Sequence, residues 1–484
     1  MVQKKSKLKK IIIPIIAAVF IGFFAVIGLK TAGQFKNVSL NRGVDTNIAP
    51  TPKPEIKIKR AYVVAAYLAN EKDDITKEEL SALAKDGKLI ATDNDKEDVA
   101  RILKSEFQTT SPSVSQIKLT KDQLAILRLE SLNPAFKVLT VDKKSVWEDD
   151  GYSLVAEVTK KGQEQSFDKS KLIKMTSVGD VILGRTVYKK MVDKGFLSPF
   201  ENVANRLADA DLTFGNLETP LSDAIKPPTE GMSFLVPKKA IEGILASGFD
   251  VLALANNHST NFGEKTFKDT LDLLEENKIE YVGGGRSEVD AKSYKTINVK
   301  GKKFAFLNTN SIVGDLAAKG DSAGVWHINL EPWGKIDQKQ VDELLEKLRE
   351  AKKEADFAVV MVHWSKEYTH DPNNEMKNLA HQLIDNGADL IVGTHPHWTQ
   401  GIEVYKDKFI AYSLGNFVFD QDWSKETKQG LIMDTIFYKD KLLNVSLAPV
   451  LIEDFHKPRI LDKKEGKVIM DAVWESSKKI SKEF

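Results

Sequence analysis

The chain has 484 residues, 42% hydrophobic and 29% charged, so it is long enough for several modules and too apolar for a mostly disordered chain. Its 70 lysines and arginines offset 69 aspartates and glutamates, which excludes a whole-chain field that would draw it onto nucleic acid. Cysteine is absent, which rules out disulfides, thiolate metal sites and cysteine nucleophiles.

Residues 1–10 form a basic tail carrying Lys4, Lys5, Lys7, Lys9 and Lys10. The uncharged run Ile11–Leu29 follows, about 28 Å long as a helix against a hydrocarbon core of ~30 Å, and is predicted to be a transmembrane anchor. The lysine excess before it predicts a single-pass protein of the cell membrane with its N-terminus inside and its main domains extracytoplasmic. A cleaved signal peptide is the alternative, but the run is longer than the usual ~7–15 residue core and lacks a clean small-x-small cleavage site. Residues 30–57, with Pro50, Pro52 and Pro54 and few large apolar side chains, read as an extended linker.

Residues 58–165 read as a small α/β module of open role. Ala61–Leu68 and Phe136–Val141 are expected as buried strands, Lys77–Lys85 and Glu97–Phe107 as helices. Leu119–Leu129 is expected to be helical, with Leu124, Leu127 and Leu129 on one stripe and Thr120 as N-cap. No catalytic constellation stands out in this module.

From Lys171 onward strands and helices alternate, and polar residues collect where strands end. Ile173–Val178 leads into Gly179-Asp180, Leu212–Phe214 into Gly215-Asn216-Leu217-Glu218, and Val251–Ala255 into Asn256-Asn257-His258. Phe357–Val362 leads into His363-Trp364, and Leu390–Val392 into Gly393-Thr394-His395-Pro396-His397. Ligands of open α/β sheets bind beyond the carboxyl ends of strands, so these clusters point to one crevice. Between them, Phe267/Leu271/Leu274, Val341/Leu344/Leu345/Leu348 and Met376/Leu379/Leu383/Ile384 mark the buried faces of helices that pack the core. Residues 456–484 read as a C-terminal helical extension.

The chain has only 8 histidines, yet His258, His363, His395 and His397 all fall at these strand ends. Pro396 is expected to hold its predecessor extended, so that the imidazoles of His395 and His397 point to one side. Imidazoles beside carboxylate and amide oxygens suit one or two divalent ions of Mn, Zn or Fe.

The motifs TSVGDVILGR, FGNLETPL, LALANNHSTNFG, VHWSKEY, IVGTHPHWTQGIE and YSLGNFVFDQ, in that order between Lys171 and Phe455, resemble the bacterial capsule-synthesis family CapA. That family is associated with poly-γ-glutamate production, and its domain resembles calcineurin-like metallophosphoesterases. The resemblance implies a four-layer α/β sandwich over about residues 171–455. It places Asp180 at the first ligand position, with Ile182 where a histidine usually stands, and Asn216 at the bridging-carboxylate position with Glu218 nearby. It implies Asn257, His363 and His395 as one metal site, and Asp180, Glu218 or Asn216 with His397 as a second. His258 would be the general acid, Arg185 an anchor for an anionic substrate group, and Asn256, Asn416 and Asp420 substrate contacts at the pocket rim; Arg185 as a surface ion pair and Asn416 and Asp420 as residues that bond turn backbone remain alternatives.

The implied function is a membrane-anchored extracytoplasmic protein of capsule or poly-γ-glutamate biosynthesis with a metal-assisted hydrolase or transferase site. Its expected partners are the membrane, the polymer and other membrane subunits of a polymer synthase, with no nucleic acid. Loss of two usual ligands keeps a non-catalytic polymer-binding or export scaffold open, and a cell-envelope phosphatase or phosphodiesterase is the third reading.

Overall fold

A computed structural model describes residues 55–107, 109–161 and 165–481. The anchor predicted at residues 11–29 and nearly all of the linker lie outside the described residues; among those described, no helix is long and apolar enough to cross a membrane.

Residues 55–161 build a seven-stranded mixed sheet around the strand Glu55–Tyr67. That strand pairs antiparallel with Leu124–Arg128, Phe136–Val141 and Val155–Lys161. The helix Lys77–Lys85 begins at a capping box in which the Thr76 side chain accepts from Glu79 N–H, and the Glu79 carboxylate accepts from Thr76 N–H. The helix expected over Leu119–Leu129 is instead the strand Leu124–Arg128. Leu124, Ala125, Ile126 and Leu127 are all buried, so the run is covered on both faces; a single helical stripe does not describe it, and pairing with Tyr62–Ala65 decides the conformation. Ile436, Tyr438 and Leu443 join this module's hydrophobic core, so it packs directly against the rest of the chain.

Besides a two-stranded sheet, Gly284–Gly285 with Gly324–Val325, the larger part contains two large sheets. One orders its strands Glu280–Val282, Val251–Ala253, Leu212–Leu217, Ile173–Val181, Gln429–Tyr438, Lys441–Glu453 and Lys457–Ile460, with Asn416–Val418 also paired to Ile173–Val181. The other orders Lys295–Val299, Lys302–Asn310, Phe357–His363, Leu390–Thr394, Lys408–Ala411 and Ile402–Tyr405. Met175, Phe214 and Val251 of the first sheet share a core with Phe304, Phe357, Val359 and Leu390 of the second. The outer face of the first sheet packs on the helices Arg185–Lys194, Ile241–Ala246 and Glu264–Glu276. The outer face of the second packs on Gln338–Glu354 and Asn374–Asp385. The layers therefore run helix, sheet, sheet, helix.

Strand alternation aims the site. Phe357, Val359 and Met361 face the inter-sheet core while Ala358, Val360 and Val362 face the helices, so the next odd residue, His363, points between the sheets. The same parity carries Leu212 and Phe214 on to Asn216 and Glu218, and Leu390 and Val392 on to Thr394. Parity alone would put Asp180 beside Val178 on the helix side. A register shift between Val178 and Asp180 corrects this, with Gly179 as the extra residue, and Val181 returns to the helix-side core.

Gly179 is required there because a Cβ would lie 2.0 Å from the Gly415 carbonyl oxygen, and Asp180 N–H donates to that oxygen at 3.1 Å. Gly179→Ala should therefore lower stability by about 1–3 kcal/mol in urea unfolding, as overpacking does. Unchanged stability would show that this approach does not fix the bulge.

Candidate metal centre

Asp180, Asn216, Glu218 and His363 are fully buried at the floor of the basin. Asn216 Nδ2 donates to Asp180 Oδ1 at 2.8 Å and to Glu218 Oε2 at 2.9 Å, so one neutral amide joins two carboxylates. Asn256 supports this amide from behind: its Nδ2 donates to Asn216 Oδ1 at 2.9 Å and to the Leu217 carbonyl, while its Oδ1 accepts from His258 N–H and Ser259 N–H. Every polar atom of the Asn256 side chain is thus engaged within the protein, and it positions its neighbours.

His363 Nε2 lies 2.8 Å from Asn257 Oδ1 and 3.5 Å from Glu218 Oε1, and its Nδ1 is 3.0 Å from Thr394 Oγ1. His397 Nδ1 faces Asn416 Oδ1 at 2.9 Å and Asp180 Oδ2 at 3.3 Å, so the Nδ1–H donates and Nε2 is left toward Glu367, 3.8 Å away. His395 N–H donates to Asp180 Oδ2 at 3.3 Å. Its imidazole is buried with neither ring nitrogen hydrogen-bonded, and Glu218 Oε1 likewise accepts no hydrogen bond.

Two donor groups result: Asp180, Glu218 and His363, and Glu367, His395 and His397, with the ligand atoms in each within 4.8 Å of one another. Each group can hold a metal ion. The resemblance instead joins Asn257, His363 and His395, and Asp180, Glu218 or Asn216 with His397. In the fold the two sets of groups adjoin: the His363 and His395 rings lie 4.8 Å apart, Asn257 contacts His363, and His397 Nδ1 lies 3.3 Å from Asp180 Oδ2, contacts that also fit the resemblance's grouping.

His395 and His397 do not come together through extended chain. His395 has φ +92° and His397 φ +57°, the left-handed region that non-glycine residues seldom adopt, and their rings sit 5.7 Å apart. Such backbone costs of order 1–3 kcal/mol and persists where surroundings over-determine it. Here His395 N–H is fixed to Asp180, the Pro396 carbonyl accepts from Tyr368 N–H at 2.8 Å, and His397 is fixed to Asn416. Proline's preference for an extended predecessor gives way to these bonds.

Burial, and then the mutual repulsion of neighbouring imidazolium charges, holds His363 and His395 well below the usual histidine range, so both are neutral and able to ligate. Glu218 is pushed well above the usual carboxylate range by burial first and by the negative charges of Asp180 and Glu367 next. His258 is lowered to about 4, chiefly by burial. Its Nδ1 faces Asn261 Oδ1 at 3.1 Å, an oxygen that also accepts from Phe234 N–H, so the neutral ring carries its proton on Nδ1 and presents a lone pair at Nε2. Expected as a general acid, His258 is in this state a proton acceptor.

The rim residues are tied down. Arg185 donates from Nε and Nη2 to Asp420 and from Nη1 to the Gly231 carbonyl, and its guanidinium lies over the rings of Phe234 and Phe419. Asp420 also accepts from Thr186 N–H at 2.9 Å. Asn416 donates to the Thr427 carbonyl at 2.8 Å while accepting from His397. The Arg185–Asp420 pair is largely buried, not a surface pair, and the bonds of Asn416 and Asp420 reach residues 11 and 234 positions away, not their own turn. Ile182 is buried with Phe234, Phe419 and Ile452, an apolar wall where a histidine ligand would otherwise stand.

Sequence reasoning overlooked Glu367, Thr394 and Asn261. Glu367 sits within VHWSKEY, but on the loop beyond the strand, where no periodicity marks it; Thr394 follows from the parity of Leu390 and Val392.

Fold and site together define an α/β protein whose two central sheets carry a buried carboxylate and imidazole centre that could hold metal. The chain belongs to the bacterial capsule synthesis protein PGA_cap family, whose model matches residues 174–421, just over half of its length. It is 36% identical over 265 residues to the capsule biosynthesis protein CapA of Bacillus anthracis, covering 53% of this chain and 62% of that one. It is also 36% identical over 261 residues to the PGA biosynthesis protein CapA of Bacillus subtilis (strain 168), covering 53% and 65%. Each match spans less than two thirds of the relative's own length. Among solved structures, a 5'-nucleotidase from Candida albicans SC5314 aligns at 12% identity and a TM-score of 0.35, over 63% of this chain and 57% of that one.

Proposed function

We propose that this chain is a metal-dependent hydrolase or transferase of metallophosphoesterase type, acting on a phosphoester or amide during assembly of a capsule or poly-γ-glutamate polymer. In this reading residues 11–29 anchor it in the cell membrane, N-terminus inside, with the site outside among other membrane subunits of a polymer synthase. Family membership and the names of the Bacillus relatives support the polymer assignment. The observation that carries the chemistry is the His395 imidazole, buried without a hydrogen bond at either nitrogen in a basin that also holds the orphaned Glu218 Oε1.

Asp180, Glu218 and His363 would hold one divalent ion and Glu367, His395 and His397 a second, with Mn, Zn or Fe suited to this donor set. A bound ion of this kind polarises a phosphoryl or carbonyl oxygen and activates water near neutral pH. The chain's own residues do the rest. Thr394 and Asn416 orient the His363 and His397 rings from outside, as partners of metal-bound imidazoles do. His258 accepts a proton at Nε2. Ile182, Phe234 and Phe419 exclude water from one side of the basin.

A second reading, a polymer-binding or export scaffold without catalysis, is favoured by one observation: the residue joining Asp180 to Glu218 is the uncharged Asn216.

Dialysis of the full chain against Mn²⁺, Zn²⁺ or Fe²⁺, followed by metal analysis and an assay with a generic phosphodiester, separates the two. The enzyme reading expects at least one ion per chain, its loss in His395→Ala, and in His258→Ala retained metal with turnover reduced about 10²-fold. Absence of stoichiometric metal, with polymer output in cells unchanged by either substitution, leaves the scaffold. For topology, a reporter fused after Phe484 is expected to be active only outside the cytoplasm; activity inside contradicts the orientation.

A further inference from the structure

A cavity of about 720 Å³ lies where the N-terminal sheet, the two central sheets and the helix Lys467–Ile480 meet. Its volume falls within the ~300–1,000 Å³ typical of small-molecule sites, and it shares no residue with either metal-ready group. Val138 comes from the N-terminal sheet, Phe409 and Leu447 from the two central sheets, and Met470 and Trp474 from the helix. Leu447, Met470 and Trp474 pack against the inter-sheet core yet stay half-buried, because part of each apolar side chain faces this space. Apolar surface gathered in a concave, sheltered place gains from being covered.

The rim has a different character. Asp73 binds Lys137 of its own module at 2.6 Å and Lys463 at 3.1 Å, and Glu71 binds Lys467 at 3.3 Å, so ion pairs run from the 68–73 segment to the start of the helix and the segment before it. Lysines and carboxylates line the cavity in equal number. A head group of one sign would meet repulsion as often as attraction there; a head carrying both signs can pair with each.

We propose that this cavity is a binding site for a single-chain zwitterionic amphiphile, with the aliphatic chain between Leu447, Phe409, Met470 and Trp474 and the head among the rim ion pairs. The site is separate from the metal centre and does not depend on it.

The test titrates dodecylphosphocholine, below its micelle threshold, into the full chain while tryptophan fluorescence and heat are recorded. Expected is saturable binding of one molecule per chain, with a fluorescence change that disappears in Trp474→Phe. Leu447→Trp and Met470→Trp, which fill the space, should weaken binding by about tenfold or more, whereas His395→Ala should bind as wild type does. Laurate and dodecyltrimethylammonium, each of one sign, should bind about tenfold more weakly than the zwitterion. The apolar run at residues 11–29 is common to all variants, so differences between them report the cavity. Circular dichroism and melting establish that each variant is folded; should Leu447→Trp fail, Met470→Trp decides. Wild-type affinity in the filled variant, an unchanged signal in Trp474→Phe, or equal binding of the singly charged amphiphiles would overturn the proposal.

Discussion

Asp180 and Glu218 are two fully buried carboxylates whose ion-pair partners among the described residues are histidines alone. Burying one unpaired charge is expensive, and burying two side by side more so, unless a cation or dense hydrogen bonding compensates. Part of the compensation is built in: the Asn216 amide donates to both, and His395 N–H and His397 Nδ1–H reach Asp180. The remainder is not, since Glu218 Oε1 has no hydrogen bond and its carboxyl is pushed well above the ordinary range. The bulge at Gly179, the left-handed backbone at His395 and His397, and the support from Asn256 all serve to hold these two carboxylates in place.

A carboxylate at position 216 would have added a third negative charge to that floor. The amide instead contributes two donors, which stabilise the buried carboxylates from within the protein. His363 and His395 stay neutral through burial, so the centre combines carboxylate oxygens with uncharged nitrogens, a donor set that could hold a divalent cation without an internal positive charge to displace.

Much of the large domain was legible because its strands keep strict alternation and end in polar clusters. Phe357–Val362 and Leu390–Val392 announce both the strand and the direction in which His363 and Thr394 must point. What escaped sequence reasoning depends on contacts between distant segments. Leu124–Arg128 looks helical until its pairing with Tyr62–Ala65 is known, and the local effect of Pro396 is overridden by bonds to Asp180, Tyr368 and Asn416. The position of Glu367 has the same origin: it comes near His395 and His397 from a loop after the neighbouring strand. The partner of Arg185, Asp420, is likewise a residue 235 positions away.

The central claim is that the buried carboxylates and imidazoles form a metal centre in two adjacent groups. Anomalous scattering from crystals grown with Mn²⁺ tests it most directly. The account predicts density among Asp180, Glu218 and His363, with a second peak among Glu367, His395 and His397. Empty groups at saturating Mn²⁺, with the Asn216 amide still bonded to both carboxylates, would contradict it.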